Sequence, residues 1–180
     1  MALNLFELSL LQKMHEALQC TLLDRLSVIV TYTGNVGAGF ILLALVLLCF
    51  KRTRVLGAIM ATALALDGVL VNICLKPMLA RVRPYDLGVE LYLITAHPTD
   101  YSFPSGHTAV AFAAATAMSK GPRKAYIAML AYAVLMSFSR LYLMMHYPTD
   151  VLGGAVCGAL CGFLSVKIWK RLTTTKGAEP

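Results

Sequence analysis

One apolar run follows another along this chain, each closed off by a short cluster of basic residues, and that succession limits the possible folds more than any other feature. Residues 26 to 50, 55 to 75, 125 to 145 and 151 to 169 are each long and apolar enough to cross hydrocarbon, for which roughly 20 residues suffice. A further run, Gly106 to Met118, is too short to cross alone, so its helix is expected to begin below the membrane surface. Composition agrees: 58% of residues are hydrophobic and 14% charged, against about 25% charged in an ordinary soluble domain. The expected fold is therefore all-α, an integral membrane helical bundle of five to six transmembrane helices.

Residues 3 to 19 read differently. Leu3, Phe6, Leu10, Met14 and Leu18 recur at helical spacing with Glu7, Lys13, His15, Glu16 and Gln19 between them, which describes an amphipathic helix lying at an interface. The acidic residues interrupt any apolar core that a signal peptide would need. The organisation expected is an interfacial helix over residues 1–20, a membrane domain over 21–172 and a short cytoplasmic tail over 173–180.

The net charge of +7 does not signal nucleic acid, because the basic residues punctuate the apolar segments and form no continuous stripe. Lys51, Arg52, Arg54, Lys120, Arg123, Lys124, Lys167, Lys170, Arg171 and Lys176 fall on one side if five spans alternate, and the positive-inside rule makes that side cytoplasmic. The connection from Lys76 to Ser105, the short loop from His146 to Asp150 and the N-terminal helix are then extracytoplasmic. The five cysteines, Cys20, Cys49, Cys74, Cys157 and Cys161, lie mostly within apolar runs without a CxxC pair, so neither a zinc site nor a disulfide framework is indicated.

The outer connections hold three clusters: KPMLARVRP from Lys76 to Pro84, PSGH from Pro104 to His107, and SRLYLMMHYPTD from Ser139 to Asp150. Taken singly, Lys76 and Arg83 are explicable as interfacial anchors, Ser105 as a helix cap and His146 as an interface histidine. Arg140 resists that treatment. It lies in an apolar run, where an unpaired cation costs about 2.5–3.5 kcal/mol, so it calls for an anionic partner or a wet cavity. Lys76, Arg83 and Arg140 on one face make a cage for a tetrahedral anion, and arginine supplies planar bidentate donors to phosphate oxygens. Ser105 and Gly106, at a helix start, add backbone N–H groups and a hydroxyl, with glycine permitting close approach. His107, one turn into that helix, is placed to donate a proton to a leaving alkoxide or phosphate. Asp150, four residues after His146, is placed to fix that histidine's tautomer and leave the other ring nitrogen free to attack phosphorus.

The pattern K-x6-R-P, P-S-G-H and S-R-x5-H-x3-D resembles the signature of the type 2 phosphatidic acid phosphatase superfamily, which includes membrane lipid phosphatases and, on a soluble fold, vanadium haloperoxidases. Every fixed position is present in order between Lys76 and Asp150. The resemblance implies that Lys76, Arg83, Ser105, Gly106 and Arg140 hold phosphate, that His146 attacks it, that His107 protonates the leaving group, and that Asp150 orients His146. It further implies a phosphohistidine hydrolysed by water, with no metal or other cofactor, acting on a membrane lipid phosphate in the bilayer. The compact size resembles small bacterial enzymes acting on undecaprenyl diphosphate, with phosphatidylglycerol phosphate and phosphatidic acid as alternatives. A non-catalytic lipid-phosphate binding or transport relative is the rival of another class, and retention of both histidines and Asp150 argues against it. The five apolar segments argue against the soluble peroxidase.

Residues outside the clusters complete the reading. Asp86, Glu90, His97 and Asp100, in the loop Tyr85 to Ser102, are expected to be solvated or gating residues. Asp67 and Asn72 lie within the second span, and Asp67, about 13 Å from Lys76 along a helix, is expected to hydrogen-bond a neighbouring helix. Gly154, Gly158 and Gly162 form a small-residue ridge suited to close packing within the bundle, or to a dimer seam. Monomer and homodimer both remain open.

Overall fold

A computed structural model describes residues 2–87 and 98–176, and every regular element among them is helical. The helices are α1 (Ala2–Leu18), α2 (Thr21–Thr33), α3 (Ala38–Cys49), α4 (Arg54–Asp67), α5 (Lys76–Leu79), α6 (Gly106–Met118), α7 (Arg123–Tyr142) and α8 (Pro148–Lys176). Glu90, His97 and the last four residues of the expected tail lie outside the described residues, whereas the tail's first four residues continue α8.

Three helical stretches are long and apolar enough to cross a membrane: Arg54–Asp86, Arg123–Tyr142 and Pro148–Thr174. The run 26 to 50, expected as one span, is instead two helices, α2 and α3, meeting at 51°. The break falls at Gly34-Asn35-Val36-Gly37, where Gly37 takes a left-handed φ of 68° and the chain makes one tight 3-10 turn. Counted as one broken span, the pair gives four, fewer than the five to six that hydropathy suggests. The difference lies in α6, whose 13 residues reach only about 20 Å.

That short helix is the centre of the bundle. It packs against α4, α7 and α8, and its alanines Ala109, Ala111, Ala113, Ala114, Ala115 and Ala117 are buried, as expected of a helix apolar all round. The glycine ridge of α8 explains how it gets there. A Cβ at Gly154 would come within 2.5 Å of the Ser105 carbonyl oxygen, one at Gly158 within 2.0 Å of the Ala109 oxygen, and one at Gly162 within 2.8 Å of the Ala113 oxygen. The ridge is therefore filled by the backbone of α6, which removes it as a dimer seam.

Between α4 and α5 the helix widens into π-helical turns over Gly68–Leu75, so that the Lys76 N–H reaches back five residues to the Val71 carbonyl. Proline in an ordinary helix clashes with the carbonyl four residues earlier, and Pro77 follows directly on this wider stretch. Lys76 is thereby delivered to the end of the span without ending the helix. Tight turns then redirect the chain twice, through Ala80 at φ 43° and Met144 at φ 51°. These are left-handed conformations that cost a non-glycine residue on the order of 1–3 kcal/mol and gather at functional sites. One sits just before Arg81 and Arg83, the other just before His146.

The N-terminal helix lies at the same end as those turns. It buries Glu7, Leu8 and Leu11 against the loops while Leu3, Leu5, Phe6 and Leu10 stay exposed, so one face packs on the protein and an apolar face is left uncovered. At the opposite end Lys120 and Lys170 border one groove with Val55 and Trp169, and the Trp169 indole donates to Thr62 at 2.9 Å.

Candidate active site

The three clusters converge at the end of the bundle that carries α1. Arg83 is almost wholly buried and all its nitrogens are engaged. Its Nε donates to the Asp100 carbonyl at 2.8 Å, Nη2 to Asp100 Oδ1 at 2.7 Å, and Nη1 to the Met145 carbonyl at 2.9 Å. The same Nη1 lies 3.3 Å from His146 Nε2. Arginine has no acceptor to offer, so this contact requires a lone pair on Nε2 and leaves the ring proton on Nδ1.

His146 Nδ1 faces Asp150 Oδ2 at 3.6 Å, longer than a hydrogen bond. The Ser102 hydroxyl stands beside both, 3.5 Å from Nδ1 and donating to Oδ2 at 2.5 Å. The structure thus brings Asp150 and Ser102 up to His146 Nδ1, with no direct hydrogen bond between the carboxylate and the ring. Asp150 has no exposure at all and also accepts from the Tyr147 N–H at 2.9 Å. Burial first, then the charges of Arg83, Arg140 and Lys76, push the His146 imidazole well below its ordinary range, so it is neutral near pH 7.

His107 and Arg140 form a second group. His107 Nε2 lies 3.1 Å from Asn35 Oδ1, and the added Cβ of an alanine at Gly34 would meet the His107 ring at 2.7 Å, so the break between α2 and α3 is fitted to this side chain. Arg140 Nη1 donates to Thr31 Oγ1 at 2.9 Å, and its buried Nε has no partner among the described residues. A small cavity of about 70 Å³ borders Thr31, Asn35, His107 and Arg140.

Lys76, Gly106 and His107 open onto a larger cavity of about 470 Å³ whose other wall is Ile41, Leu64, Asp67 and Val110. Lys76 Nζ is hydrogen-bonded to Asp100 Oδ2, so Asp100 bridges Lys76 and Arg83. Burial raises the Asp100 carboxyl, but the bonds and charges of Lys76 and Arg83 outweigh it and hold it down to about 2. A carboxylate therefore occupies two of the three cations expected to meet phosphate. Ser105 stands at the cap position of α6 without making a cap bond; its hydroxyl accepts from Thr108 Oγ1 at 3.1 Å, and its N–H donates to the Asp150 carbonyl at 3.0 Å. At Gly106 an added Cβ would sit 3.8 Å from Lys76 Nζ. Asp67 Oδ1 is buried without a partner among the described residues, so the expected bond to a neighbouring helix is not made by that atom.

Asn35, Thr31, Ser102, Asp100 and Arg81 belong to this site without having been picked out for it. Asn35 and Thr31 carried a signal, as polar residues within an apolar run; Ser102 and Arg81 carried none in their spacing.

Comparison with known proteins identifies the family. The model of the PAP2 superfamily matches residues 55–174. The chain is 39% identical over 123 residues to the undecaprenyl-diphosphatase of Sulfolobus acidocaldarius, an alignment covering 68% of this chain and 59% of that protein, so the chain spans less than two thirds of that relative's length. The crystal structure of Aquifex aeolicus LpxE superposes with a TM-score of 0.77 at 33% identity, covering 89% of this chain and 94% of the other. That of the first transmembrane PAP2 type phosphatidylglycerolphosphate phosphatase from Bacillus subtilis gives 0.75 at 26% identity, covering 94% and 87%. The chain belongs to the PAP2 superfamily, the one its motifs resemble.

Proposed function

We propose that this protein hydrolyses a lipid phosphate or diphosphate at the membrane without a metal, through a phosphohistidine on His146, with undecaprenyl diphosphate the favoured substrate. The observation that carries the reading is the Arg83 to His146 contact. It leaves the Nε2 lone pair facing the cation cage while Nδ1 faces Asp150 and Ser102, the tautomer a nucleophilic imidazole requires. In the first step Nε2 forms a bond to phosphorus as the bond to the leaving oxygen breaks, and His107 gives that oxygen a proton. In the second, water attacks the phosphohistidine, His107 takes its proton, and phosphate leaves. Lys76, Arg83 and Arg140 meet the charge that develops on the phosphoryl oxygens, with Ser105 and Gly106 closing the cage.

The larger cavity supports a lipid as substrate, since Lys76 and His107 line one part of it and Ile41, Leu64 and Val110 another. The Sulfolobus relative's name favours undecaprenyl diphosphate; the Bacillus structure's favours phosphatidylglycerol phosphate, the second reading. Phosphate release from purified protein in detergent, offered undecaprenyl diphosphate, phosphatidylglycerol phosphate and phosphatidic acid in turn with EDTA present, tests all of this. The expected order places undecaprenyl diphosphate first by kcat/KM. Activity abolished by EDTA and restored by a divalent cation would overturn the metal-independent mechanism.

The site is assigned to the extracytoplasmic side. Shared placement of α1 and both site loops at one end, with Lys120 and Lys170 at the other, supports it. With the native cysteines replaced, a membrane-impermeant thiol reagent on intact cells should label a cysteine at Tyr101, which is exposed, and not one at Arg123; the reverse would invert the topology. α6, enclosed by its neighbours, then acts as the remaining span of a five-span bundle.

A further inference from the structure

Arg81 is not one of the motif cations, yet it makes more polar contacts than any of them. Its Nη1 donates to Asp150 Oδ1 at 2.5 Å and to Thr149 Oγ1 at 2.6 Å. Its Nη2 donates to Glu7 Oε2 at 2.5 Å and to Asn4 Oδ1 at 2.8 Å, and Nε reaches the same Asn4 oxygen at 3.2 Å. The guanidinium lies 4.2 Å above the Tyr147 ring. Its backbone takes part too, because the Arg81 carbonyl accepts from the Ser102 N–H at 2.8 Å, and Ser102 donates its hydroxyl to the other oxygen of Asp150.

Arg81 thus bears on both oxygens of the Asp150 carboxylate, on Oδ1 directly by its side chain and on Oδ2 through Ser102, which shares that oxygen with the Tyr147 N–H. Without the Arg81 side chain Oδ1 would face a buried interior unpaired, and the carboxylate would be held through Oδ2 alone, by the Ser102 hydroxyl and the Tyr147 N–H, with its tilt towards His146 Nδ1 less fixed. Arg81 in turn is held by α1. Glu7 is buried although it is a charged residue on an otherwise interfacial helix, and besides Arg81 it accepts from the Thr149 N–H at 2.8 Å and the Thr149 hydroxyl at 2.9 Å. An acid placed so deeply is accounted for by these partners and by nothing in the lipid-facing role of α1.

We propose that Arg81 is a positioning residue that fixes Asp150 against His146, and that Glu7 fixes Arg81, so that the N-terminal helix is a working part of the active site as well as an interfacial anchor. The inference rests on the reading of His146 as nucleophile and Asp150 as its orienting group. The phosphate cage and the nucleophile support are then separable: the acceptors of the Arg81 side chain, Asn4, Glu7, Thr149 and Asp150, are shared with none of Lys76, Arg83 or Arg140, so its loss leaves the cage bonds in place while slackening the group that aims the attacking nitrogen.

The test is steady-state kinetics on the full chain in detergent with one lipid phosphate, alongside competitive inhibition by inorganic phosphate, for Arg81→Gln, Arg81→Lys, Glu7→Gln and the double variant. Arg81→Gln should lower kcat by about 10- to 100-fold, the range that misplacement of a reacting group produces, with KM and the phosphate inhibition constant within about twofold. Arg81→Lys, which keeps the charge and one donor towards Asp150, should recover part of the loss. Glu7→Gln, nearly isosteric, should lose roughly three- to tenfold in kcat, and the double variant should fall close to Arg81→Gln alone, because Glu7 acts through Arg81. Unchanged kcat in Arg81→Lys and Glu7→Gln overturns the proposal even if Arg81→Gln does not fold. Losses that appear in KM and phosphate inhibition, or that multiply in the double variant, overturn it as well. His146→Ala measured in parallel separates the levels: if that variant turns over, the underlying mechanism fails, and if it is dead while the Arg81 and Glu7 variants match wild type, only this inference does.

Discussion

The two histidines of the site stand in unlike surroundings. Around His146 the protein supplies nearly every partner: Arg83 is spent on four acceptors, and Asp150 accepts from Arg81, Ser102 and Tyr147. Around His107 the protein supplies little, one contact to Asn35 and one bond from Arg140 to Thr31, with the Arg140 Nε left over. On the proposed mechanism, the half of the site that holds the nucleophile is furnished with protein partners and the half that holds the acid has few among the described residues. A buried arginine whose Nε has no partner among the described residues, beside a small cavity, suits an anion such as a phosphoryl group.

The contrast is sharpest in the variants that remove each histidine. His146→Ala should reduce turnover by roughly 10³-fold or more for every substrate, while inorganic phosphate still competes in a binding assay; loss of phosphate binding too would show that the two halves are one. His107→Gln should cost about 10²- to 10⁴-fold with a poor alkoxide leaving group and far less with a diphosphate or an activated aryl phosphate. Equal losses across those substrates would make His107 a phosphate ligand and no acid.

A smaller effect is expected at Asp100, the carboxylate lying across Lys76 and Arg83. Held down to about 2, it stays ionised near neutral pH, and on the proposed mechanism it competes with phosphate for two cations. Asp100→Asn should therefore bind inorganic phosphate several-fold more tightly, on the order of 1 kcal/mol. Weaker binding would mean that Asp100 preorganises the cage. Thr31→Val, which removes the one protein acceptor seen for the Arg140 side chain, should raise KM by only a fewfold, since the substrate supplies the missing partners.

The acid limb of kcat/KM separates the halves by pH. Because burial and the cage cations push His146 below its ordinary range, the neutral nucleophile persists as pH falls through 6.5, and the limb should lie below that value. The same shift has a stability counterpart. The unfolded chain takes up the His146 proton near pH 6.5 and the folded chain resists it, so the stability it contributes is complete above that pH and declines below it. An acid limb at or above pH 6.5 would assign the titration to another group.

Legibility in the sequence follows the same division. The motif residues were readable because their spacing is local to three short segments, and Arg140 stood out as a cation in an apolar run. The second-tier partners were not, since Glu7 meets Thr149 across 142 positions of chain, and no periodicity records such a pairing. Hydropathy also joined α2 to α3, because it weighs side chains and ignores the left-handed backbone that Gly37 allows and the room that Gly34 leaves for His107; the Gly-Asn-Val-Gly stretch was the available sign of a break. The carboxylate bridge of Asp100 depends on where a loop returns, which composition does not encode.

The brevity of α6 bears on how the protein is made. At about 20 Å it falls short of a hydrocarbon core of about 30 Å, and its alanine surface offers less hydrophobic drive than a leucine-rich span, so insertion as an independent unit is disfavoured. Its deepest contacts are to the glycines of α8, which leave the ribosome some 50 residues later. Commitment of α6 to the bilayer therefore waits for the last helix, and so does the meeting of His107 with His146. Truncation within α8 should leave a chain that inserts its early spans normally yet exposes α6 to added protease, an assembly defect readable without any assay of activity.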